Sequence, residues 1–204
     1  MPFSVAARAT PKTSGGTTLP EGLLLLAELA IESRVDLARS GVRVRIVTNS
    51  LVATDEKSVH IGYSKHRVDL LRAGVQLLEL KPDARTMVQR AGEIGRGAKA
   101  GLHAKTYAVD GRVIFVGSFD MDPRSALLNT EMGLVIDSVS MATQLSERVD
   151  QAYPASAYRV SLAEDGGLRW EDGTGKMYNA DPGSGWLKRA FIRIGTWLPI
   201  EWLL

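Results

Sequence analysis

The stretch that decides the fold of this chain is His103-Ala104-Lys105-Thr106-Tyr107-Ala108-Val109-Asp110-Gly111-Arg112-Val113-Ile114-Phe115-Val116-Gly117-Ser118. Residues 103–109 alternate as a β-strand does, and a strand points side chains at i and i+2 to one face. Asp110-Gly111 is a strong signal for a two-residue hairpin, with residues 112–116 as the returning strand. The pattern predicts a hairpin that directs His103 and Lys105 into one pocket and ends at Gly117-Ser118 beside it.

These residue types suit the cleavage of a phosphodiester. A neutral imidazole can attack phosphorus and form a phosphohistidine, and a lysine ammonium stabilises the non-bridging oxygens. A second imidazole must protonate the leaving alkoxide and later deprotonate the incoming hydroxyl. The glycine permits close approach of a ligand, and the serine hydroxyl and N–H can bind a phosphate oxygen. Each residue also has an ordinary structural explanation: a strand histidine is usually structural, and Asp-Gly is usually only a turn.

The spacing His-x-Lys-x4-Asp-x6-Gly-Ser resembles the HKD motif of the phospholipase D superfamily. Further stretches resemble bacterial cardiolipin synthases of the C type around their second HKD motif, and together they cover roughly residues 41–204. These stretches are Val47-Thr48-Asn49-Ser50-Leu51, Asp55, Val59-His60, Tyr63, Arg67, Gly74-Val75, Asp122-Pro123-Arg124-Ser125, Leu128-Asn129-Thr130-Glu131-Met132-Gly133 and Leu198-Pro199-Ile200-Glu201-Trp202-Leu203-Leu204.

The resemblance implies an α/β fold in which a mixed sheet is flanked by helices, and a phosphatidyltransferase that needs no metal or other cofactor. The implied catalytic residues are His103, Lys105 and Asp110. The implied substrate-binding residues are Gly117, Ser118, Asp120, Asn129, Glu131, His60 and Tyr63. Because the match is to the second motif, His103 is expected to act as general acid rather than as nucleophile. The implied partners are an anionic phospholipid, a membrane surface and a second HKD half.

Three features depart from that family. Asp120 stands where asparagine is usual, and an ionised carboxylate only accepts hydrogen bonds and repels phosphate. The chain holds one HKD motif where such enzymes hold two, so the site needs either a second chain or a missing half. Residues 1–19 lack the periodicity of a strand or helix and are expected to form a leader outside the phospholipase D-like domain of residues 20–204.

Composition sets broad limits. The 204 residues, 45% of them hydrophobic, favour one soluble domain. A net charge of +2 does not by itself indicate nucleic acid, and the absence of cysteine excludes disulfides and thiolate zinc sites. No apolar segment of a secretory signal is evident, and the run of four leucines at 23–26 is far shorter than the ~20 residues of a membrane span.

Before the hairpin, the pattern predicts a helix over 20–40 that Gly41 stops. A βαβ unit is expected to follow, with a strand over 42–48, a polar connection over 49–62, a helix over 63–73 that ends at Gly74, and a strand over 75–80. Residues 81–101 are either a basic lid or a solvated loop. A strand over 131–136, a helix capped by Ser138 and a hairpin over 157–172 follow, and then an open loop over 172–184.

The last segment is an amphipathic helix with three tryptophans, which favours the membrane interface over simple core packing. The expected location is therefore peripheral on a bacterial cytoplasmic membrane. Three functions remain open: a phosphatidyltransferase half, a homodimeric single-motif phosphodiesterase or nuclease, and an inactive remnant that binds phosphate. The scarcity of aromatics beside the arginines argues against nucleic acid as a partner.

Overall fold

The computed structural model describes residues 4–8, 31–54, 57–82, 105–118, 132–187 and 190. In the described residues three helices, α1 (Ile31–Arg39), α2 (Lys57–Arg72) and α3 (Val139–Ser156), accompany nine strands. The strands are β1 (Ser4–Arg8), β2 (Arg43–Asn49), β3 (Gln76–Leu80), β4 (Lys105–Val109), β5 (Val113–Gly117), β6 (Gly133–Asp137), β7 (Ala157–Leu162), β8 (Leu168–Glu171) and β9 (Met177–Tyr178).

All nine strands form one mixed sheet in the order β6-β5-β4-β1-β2-β3-β7-β8-β9. β2 and β3 are parallel and joined through α2, which confirms the predicted βαβ unit, and β1 and β4 are also parallel. The other neighbouring pairs are antiparallel. The predicted α/β class, a mixed sheet flanked by helices, is confirmed.

Glycine ends the first two helices, as the sequence predicts. Gly41 and Gly74 both have positive φ, 93° and 91°. Each donates its N–H to a carbonyl three residues back, and the next residue donates to a carbonyl five back. This pair of backbone hydrogen bonds is the Schellman motif, which places each strand directly after its helix.

The sheet is covered on both faces. On one face the buried core joins α1 and α2 to the strands, with Val35, Val44, Ile46, Tyr63, Leu70, Val75, Leu77, Tyr107, Val109, Val113, Val160 and Trp170. On the other face Val149 and Tyr153 of α3 pack with Val47, Leu78, Leu80 and Ala157. Ser138 caps α3, because its extended backbone lets its hydroxyl accept from the Met141 N–H at 3.3 Å.

Three expectations need correction. Ser4–Arg8, expected within an irregular leader, forms β1 and lies between β2 and β4 in the sheet. The prediction of a polar connection over 49–62 is wrong from Lys57 onward, because α2 already begins there. The loop over 172–184 contains the short strand β9, which pairs with β8.

Asp172 organises the turn between β8 and β9. Its Oδ1 accepts hydrogen bonds from the Thr174 hydroxyl at 2.6 Å, the Thr174 N–H at 2.9 Å and the Lys176 N–H at 3.1 Å. These bonds, the Thr174 hydroxyl first, lower the pKa of Asp172 to about 2. The carboxylate is therefore a structural part of the turn.

Candidate active site

The predicted HKD hairpin is confirmed where the structure describes it. Asp110 and Gly111 both have positive φ, 53° and 65°, as a two-residue turn between twisted strands requires. The Arg112 N–H donates to the Val109 carbonyl at 3.0 Å and closes the turn. The register places Gly117 directly opposite Lys105. The hairpin thus brings the lysine and the Gly-Ser end together.

Lys105 begins β4 and lies on the face of the sheet that carries the main core. It alternates with Tyr107 and Val109, both members of that core, and only 7% of Lys105 is exposed. Ser118 is exposed and Gly117 half-buried, so solvent reaches this end of the hairpin. Lys105 is thus a basic side chain at the buried side of an end of the hairpin that solvent reaches.

Gly117 is required by the packing of the strands. A Cβ there would lie 2.5 Å from the Met132 carbonyl oxygen, 2.6 Å from the Gly133 Cα and 2.8 Å from the Phe115 ring. A Cβ on Gly133 would meet the same ring at 2.3 Å. Phe115, stacked on Tyr107 at 5.3 Å between centroids, therefore lies over both glycines and forms an aromatic wall beside Lys105.

Ser118 closes the ladder between β5 and β6. Its N–H donates to the Met132 carbonyl at 2.8 Å, and its hydroxyl contacts the Met132 backbone, donating to the carbonyl oxygen at 3.3 Å and accepting from the N–H at 3.1 Å. The N–H expected to bind phosphate is therefore already used within the sheet. Substrate binding by the Ser118 hydroxyl stays a prediction.

Asp110 lies at the opposite end of the hairpin from Lys105. Five residues of extended chain separate them, a span of about 16 Å. The structure does not bring the two side chains together, and the positive φ of Asp110 supports its role in the turn. A catalytic contribution of Asp110 stays a prediction. His103, Asp120, Asn129 and Glu131 lie outside the described residues, so their roles stay predictions too.

His60 and Tyr63 belong to a separate, buried cluster around Arg67. One guanidinium nitrogen, Nη2 of Arg67, lies 2.9 Å from Glu79 Oε1, 2.9 Å from Asp181 Oδ1 and 2.9 Å from His60 Nε2. The His60 ring nitrogen is thus one of three groups around this Nη2, beside the two carboxylate oxygens. His60 is 3% exposed, which keeps its ring away from solvent.

Glu79 lies at the other end of the cluster and accepts two further hydrogen bonds. The Tyr63 hydroxyl donates to Oε1 at 3.1 Å and the Trp170 Nε1 donates to Oε2 at 2.9 Å. The Arg67 guanidinium lies 5.0 Å from the Tyr63 ring centroid and 5.4 Å from that of Trp170. The carboxylate and the cation are thus each contacted by aromatic groups that exclude water.

The cluster shifts the titration of its members. Burial, and next the Glu79 charge, raise the pKa of Tyr63 well above its usual value. Burial alone would lower the pKa of Arg67, but Glu79 and Asp181 outweigh it and hold the pKa above the usual range. Burial alone would raise the pKa of Asp181, but His60 and Arg67 lower it overall. The ionised forms of Arg67 and Asp181 are therefore both stabilised.

The cluster and Lys105 occupy one row of the sheet at different strands. The registers of β1 with β2 and β4, and of β2 with β3, align Thr106, Val47 and Leu78 across the sheet, and Lys105, Thr48 and Glu79 each lie one residue from that row. Three strand spacings, about 14 Å, separate β4 from β3. The structure therefore does not bring His60 and Tyr63 to Lys105, and their role in substrate binding stays a prediction.

The sequence holds two signals for this cluster that the reasoning from pattern missed. Glu79 is an acidic residue within an apolar strand, and Leu77, two residues before it, points into the core. His60, Tyr63, Arg67 and Leu70 follow helical spacing along α2, although two of them are polar. No sequence signal links Asp181 to Arg67, because 114 residues separate them.

In the described part of the chain, no group of three or more metal-ligating side chains comes together. No helix among the described residues is long and apolar enough to cross a membrane. The segment 188–204, apart from Ala190, and the segment 83–101 lie outside the described residues. The predicted amphipathic helix and the predicted lid therefore stay predictions.

Comparison with known proteins places these features in a family. Residues 27–153 match the family model described as "Cardiolipin synthase, PLD-like domain". The chain is 42% identical to cardiolipin synthase C of Escherichia coli over 174 residues, which is 82% of this chain and 36% of that enzyme. It is also 32% identical to an uncharacterized protein of Helicobacter pylori over 58% of this chain and 24% of that protein.

A shorter stretch is 42% identical to the human 5'-3' exonuclease PLD4, over 29% of this chain and 12% of that protein. No solved structure is similar enough to be matched. The chain spans about a third of the length of cardiolipin synthase C, 36%. From the matched domain, the HKD hairpin and the extended identity, this chain belongs to the cardiolipin synthase family of phospholipase D-like proteins.

Proposed function

We propose that this chain is one half of a phosphatidyltransferase that passes a phosphatidyl group through a phosphohistidine to the hydroxyl of an acceptor lipid. The observation that carries the proposal is Lys105, a nearly buried ammonium opposite Gly117 at the end of the hairpin that opens to solvent. A relative that is 42% identical over 174 residues is named a cardiolipin synthase, and that name indicates a phospholipid product.

The reaction proceeds in two displacements. In the first, an imidazole nitrogen forms a bond to phosphorus, the bond from phosphorus to the leaving oxygen breaks, and that oxygen takes a proton from a second imidazole. In the second, the acceptor hydroxyl loses its proton to that second imidazole and displaces the first. Lys105 stabilises the negative charge on the non-bridging oxygens in both steps.

His103 supplies one imidazole in this proposal, as the general acid and base. The other imidazole belongs to a second HKD half. Water in place of the alcohol would give hydrolysis with the same groups, so exclusion of water from the site favours transfer. The Phe115 ring over Gly117 and Gly133 provides an apolar side to the site.

The membrane surface is a proposed partner, with a peripheral location on the bacterial cytoplasmic membrane. Trp186 and Leu187 are 70% and 65% exposed at the end of the described C-terminal segment, and the sequence continues with Lys188 and Arg189. Exposed tryptophan followed by basic residues suits the headgroup region of an anionic bilayer.

The test is transfer of a labelled phosphatidyl group between lipids in vesicles, with a chelator present and with the missing half supplied as a separate chain. His103→Ala should abolish transfer, and Lys105→Ala should lower its rate by ~10²–10³-fold. Lys105→Arg keeps the charge and is the matched control for folding. Activity that persists in His103→Ala would remove that residue from the mechanism.

A second candidate function is metal-independent cleavage of nucleic acid by two copies of the chain. The stretch of identity with a human exonuclease of the same superfamily favours it. Incubation of single-stranded DNA with the purified chain and a chelator distinguishes the two: cleavage that His103→Ala abolishes supports the nuclease, and an intact strand alongside lipid transfer supports the synthase.

A further inference from the structure

The two ends of the sheet differ in what they expose. The strand directions place the start of β4, with Lys105, at the end of the sheet where β2, β3, β5 and β8 finish and where β6, β7 and β9 begin. We call it the Lys105 end. The described turns at the opposite end are short and contain a glycine with positive φ, namely Gly41, Gly74, Gly111 and Gly166. A phospholipid that reaches Lys105 therefore approaches the Lys105 end.

Two lysines and two tyrosines form a cluster at this end, on the strands beyond β2. Lys81 directly follows β3, and its Nζ lies 5.3 Å from the ring centroid of Tyr158. The Tyr158 ring meets the Tyr178 ring edge-on, with the centroids 5.8 Å apart. Lys176 directly precedes β9, and its Nζ lies 5.0 Å from the Tyr178 centroid. Two ammonium groups thus flank a pair of aromatic rings.

The positive charges of this cluster face solvent more than its negative charge does. Lys176 is exposed and Lys81 is half-buried, with an exposed hydrogen bond from its Nζ to the Ala155 carbonyl at 3.3 Å. The carboxylate in the cluster belongs to Asp172, which is 9% exposed. Its Oδ1 holds the turn, and its Oδ2 accepts from the Tyr178 hydroxyl at 3.3 Å. The cluster therefore presents two cations against one largely buried anion.

Exposed apolar side chains lie at the same end of the sheet. Met177, the first residue of β9, is 47% exposed. The segment after β9 returns to the loop that follows β2, because a Cβ on Gly183 would lie 3.5 Å from Cγ2 of Val52. Trp186 and Leu187, three and four residues further, are 70% and 65% exposed. Basic and apolar groups that are exposed together suit the interface of an anionic bilayer.

We propose that the Lys105 end of the sheet faces an anionic bilayer, and that Lys81 and Lys176 bind phosphate groups of lipids in its surface. The inference rests on the proposed function and adds the orientation of the chain and a second lipid site. Three strand spacings, about 14 Å, separate β3 from β4, so the lipid at this cluster is not the one at Lys105. The ammonium groups attract the phosphates, and the amphipathic rings of Tyr158 and Tyr178 suit headgroup depth.

The experiment measures co-sedimentation with vesicles of phosphatidylcholine, alone or mixed with phosphatidylglycerol. The double variant Lys81→Gln/Lys176→Gln should bind the anionic vesicles roughly 25-fold more weakly, since each basic residue near the surface contributes about 5-fold. The matched control Arg43→Gln/Arg72→Gln removes the same charge from exposed positions at the opposite end. That end lies about 16 Å further from the bilayer, beyond a Debye length of ~8 Å, so binding should be nearly unchanged.

Two results would overturn the proposal. Equal losses from the two double variants would show that net charge, and not this cluster, attracts the vesicles. Equal binding of wild type to neutral and anionic vesicles would exclude the phosphate contact of Lys81 and Lys176. Circular dichroism melting of both double variants checks that each is folded.

A fluorescence measurement tests the orientation in an otherwise unchanged chain, and it covers the case in which the lysine variant fails to fold. The chain contains no cysteine, so Met177→Cys and Glu164→Cys each introduce one thiol, the second in the exposed turn at the opposite end. Each thiol carries a nitrobenzoxadiazole label. Anionic vesicles should shift the emission of the label at 177 to shorter wavelength and leave that at 164 unchanged; the reverse pattern, or equal shifts, would contradict the orientation.

Neither measurement needs turnover, so the proposal and the proposed function can fail separately. Binding that depends on Lys81 and Lys176 in a chain that transfers no phosphatidyl group would refute the proposed function and leave this surface intact. Transfer by a chain whose vesicle binding ignores both lysines would refute this surface alone.

Discussion

Replacement of Arg67 by methionine tests whether the buried cluster stabilises the fold. Arg67 is 3% exposed and its Nη2 contacts two carboxylates, Glu79 and Asp181, at 2.9 Å each. Methionine retains the apolar stem but leaves both carboxylates without their cation. Removal of one partner from a buried ion pair costs ~3–5 kcal/mol, because the remaining charge is held out of water. For a chain of this size that corresponds to a fall in Tm of roughly 6–20 °C.

Arg112→Met is the matched control. Arg112 makes a bidentate pair with Asp137 through contacts of 2.8 to 3.1 Å, yet the two side chains are 66% and 61% exposed. A pair this exposed contributes little to stability, since water screens the charges. If burial decides the contribution to stability, Arg67 contributes more than Arg112. If the geometry of the ion pair decides it, Arg112 contributes more.

The assay is urea unfolding followed by circular dichroism, with the free energy of unfolding compared among wild type and the two variants. Arg67→Met should lose several times more stability than Arg112→Met. The pair Arg67→Met with Glu79→Gln should recover part of the loss, because the second change removes one uncompensated charge. Equal losses from the two arginines would refute the reasoning from burial.

Three further outcomes are expected. Lys105→Ala should lower metal-independent phosphodiester turnover by ~10²–10³-fold with folding unchanged, as removal of one preorganised donor does; an active Lys105→Ala chain would contradict its role. Gly133→Ala should destabilise the fold by ~1–3 kcal/mol through collision with the Phe115 ring, and Phe115→Leu should restore part of that loss; stability unaffected by either change would exclude the contact. Asp172, with its pKa of about 2, and Asp181, whose pKa is also lowered, should contribute stability above their unfolded pKa of 3.8 that is lost as the pH falls through their folded pKa values. Acid titration of Asp172→Asn should therefore show a weaker loss of stability between about pH 4 and 2 than wild type; an unchanged profile would contradict the role of the carboxylate.

Local signals in the sequence predict most of the site's framework. The Asp110-Gly111 turn needs positive φ at two positions, and few residue pairs tolerate it, so the hairpin and its register follow from the dipeptide. Neighbouring residues likewise determine the helix C-termini at Gly41 and Gly74 and the N-cap at Ser138. Each depends on contacts within a few residues.

The start of α2 was misread because its core-facing side is polar. His60, Tyr63, Arg67 and Leu70 have helical spacing, but hydrophobic periodicity registers only apolar residues. Their burial depends on Glu79 and Asp181, which become neighbours only when β3 and the segment after β9 are in place. A pattern that takes its meaning from distant partners cannot be recognised from a local window.

Arg67 and Lys105 have different environments, and the difference bears on where an anionic substrate would bind. Arg67 on α2 lies against the two carboxylates of Glu79 and Asp181. Its charge is therefore already paired within the chain, and its side chain is buried. Lys105, about 14 Å away at the solvent-facing end of the hairpin, has the glycines and the Phe115 ring beside it. We therefore expect a phosphate to bind at the solvent-facing end of the hairpin rather than at the buried His60 and Tyr63.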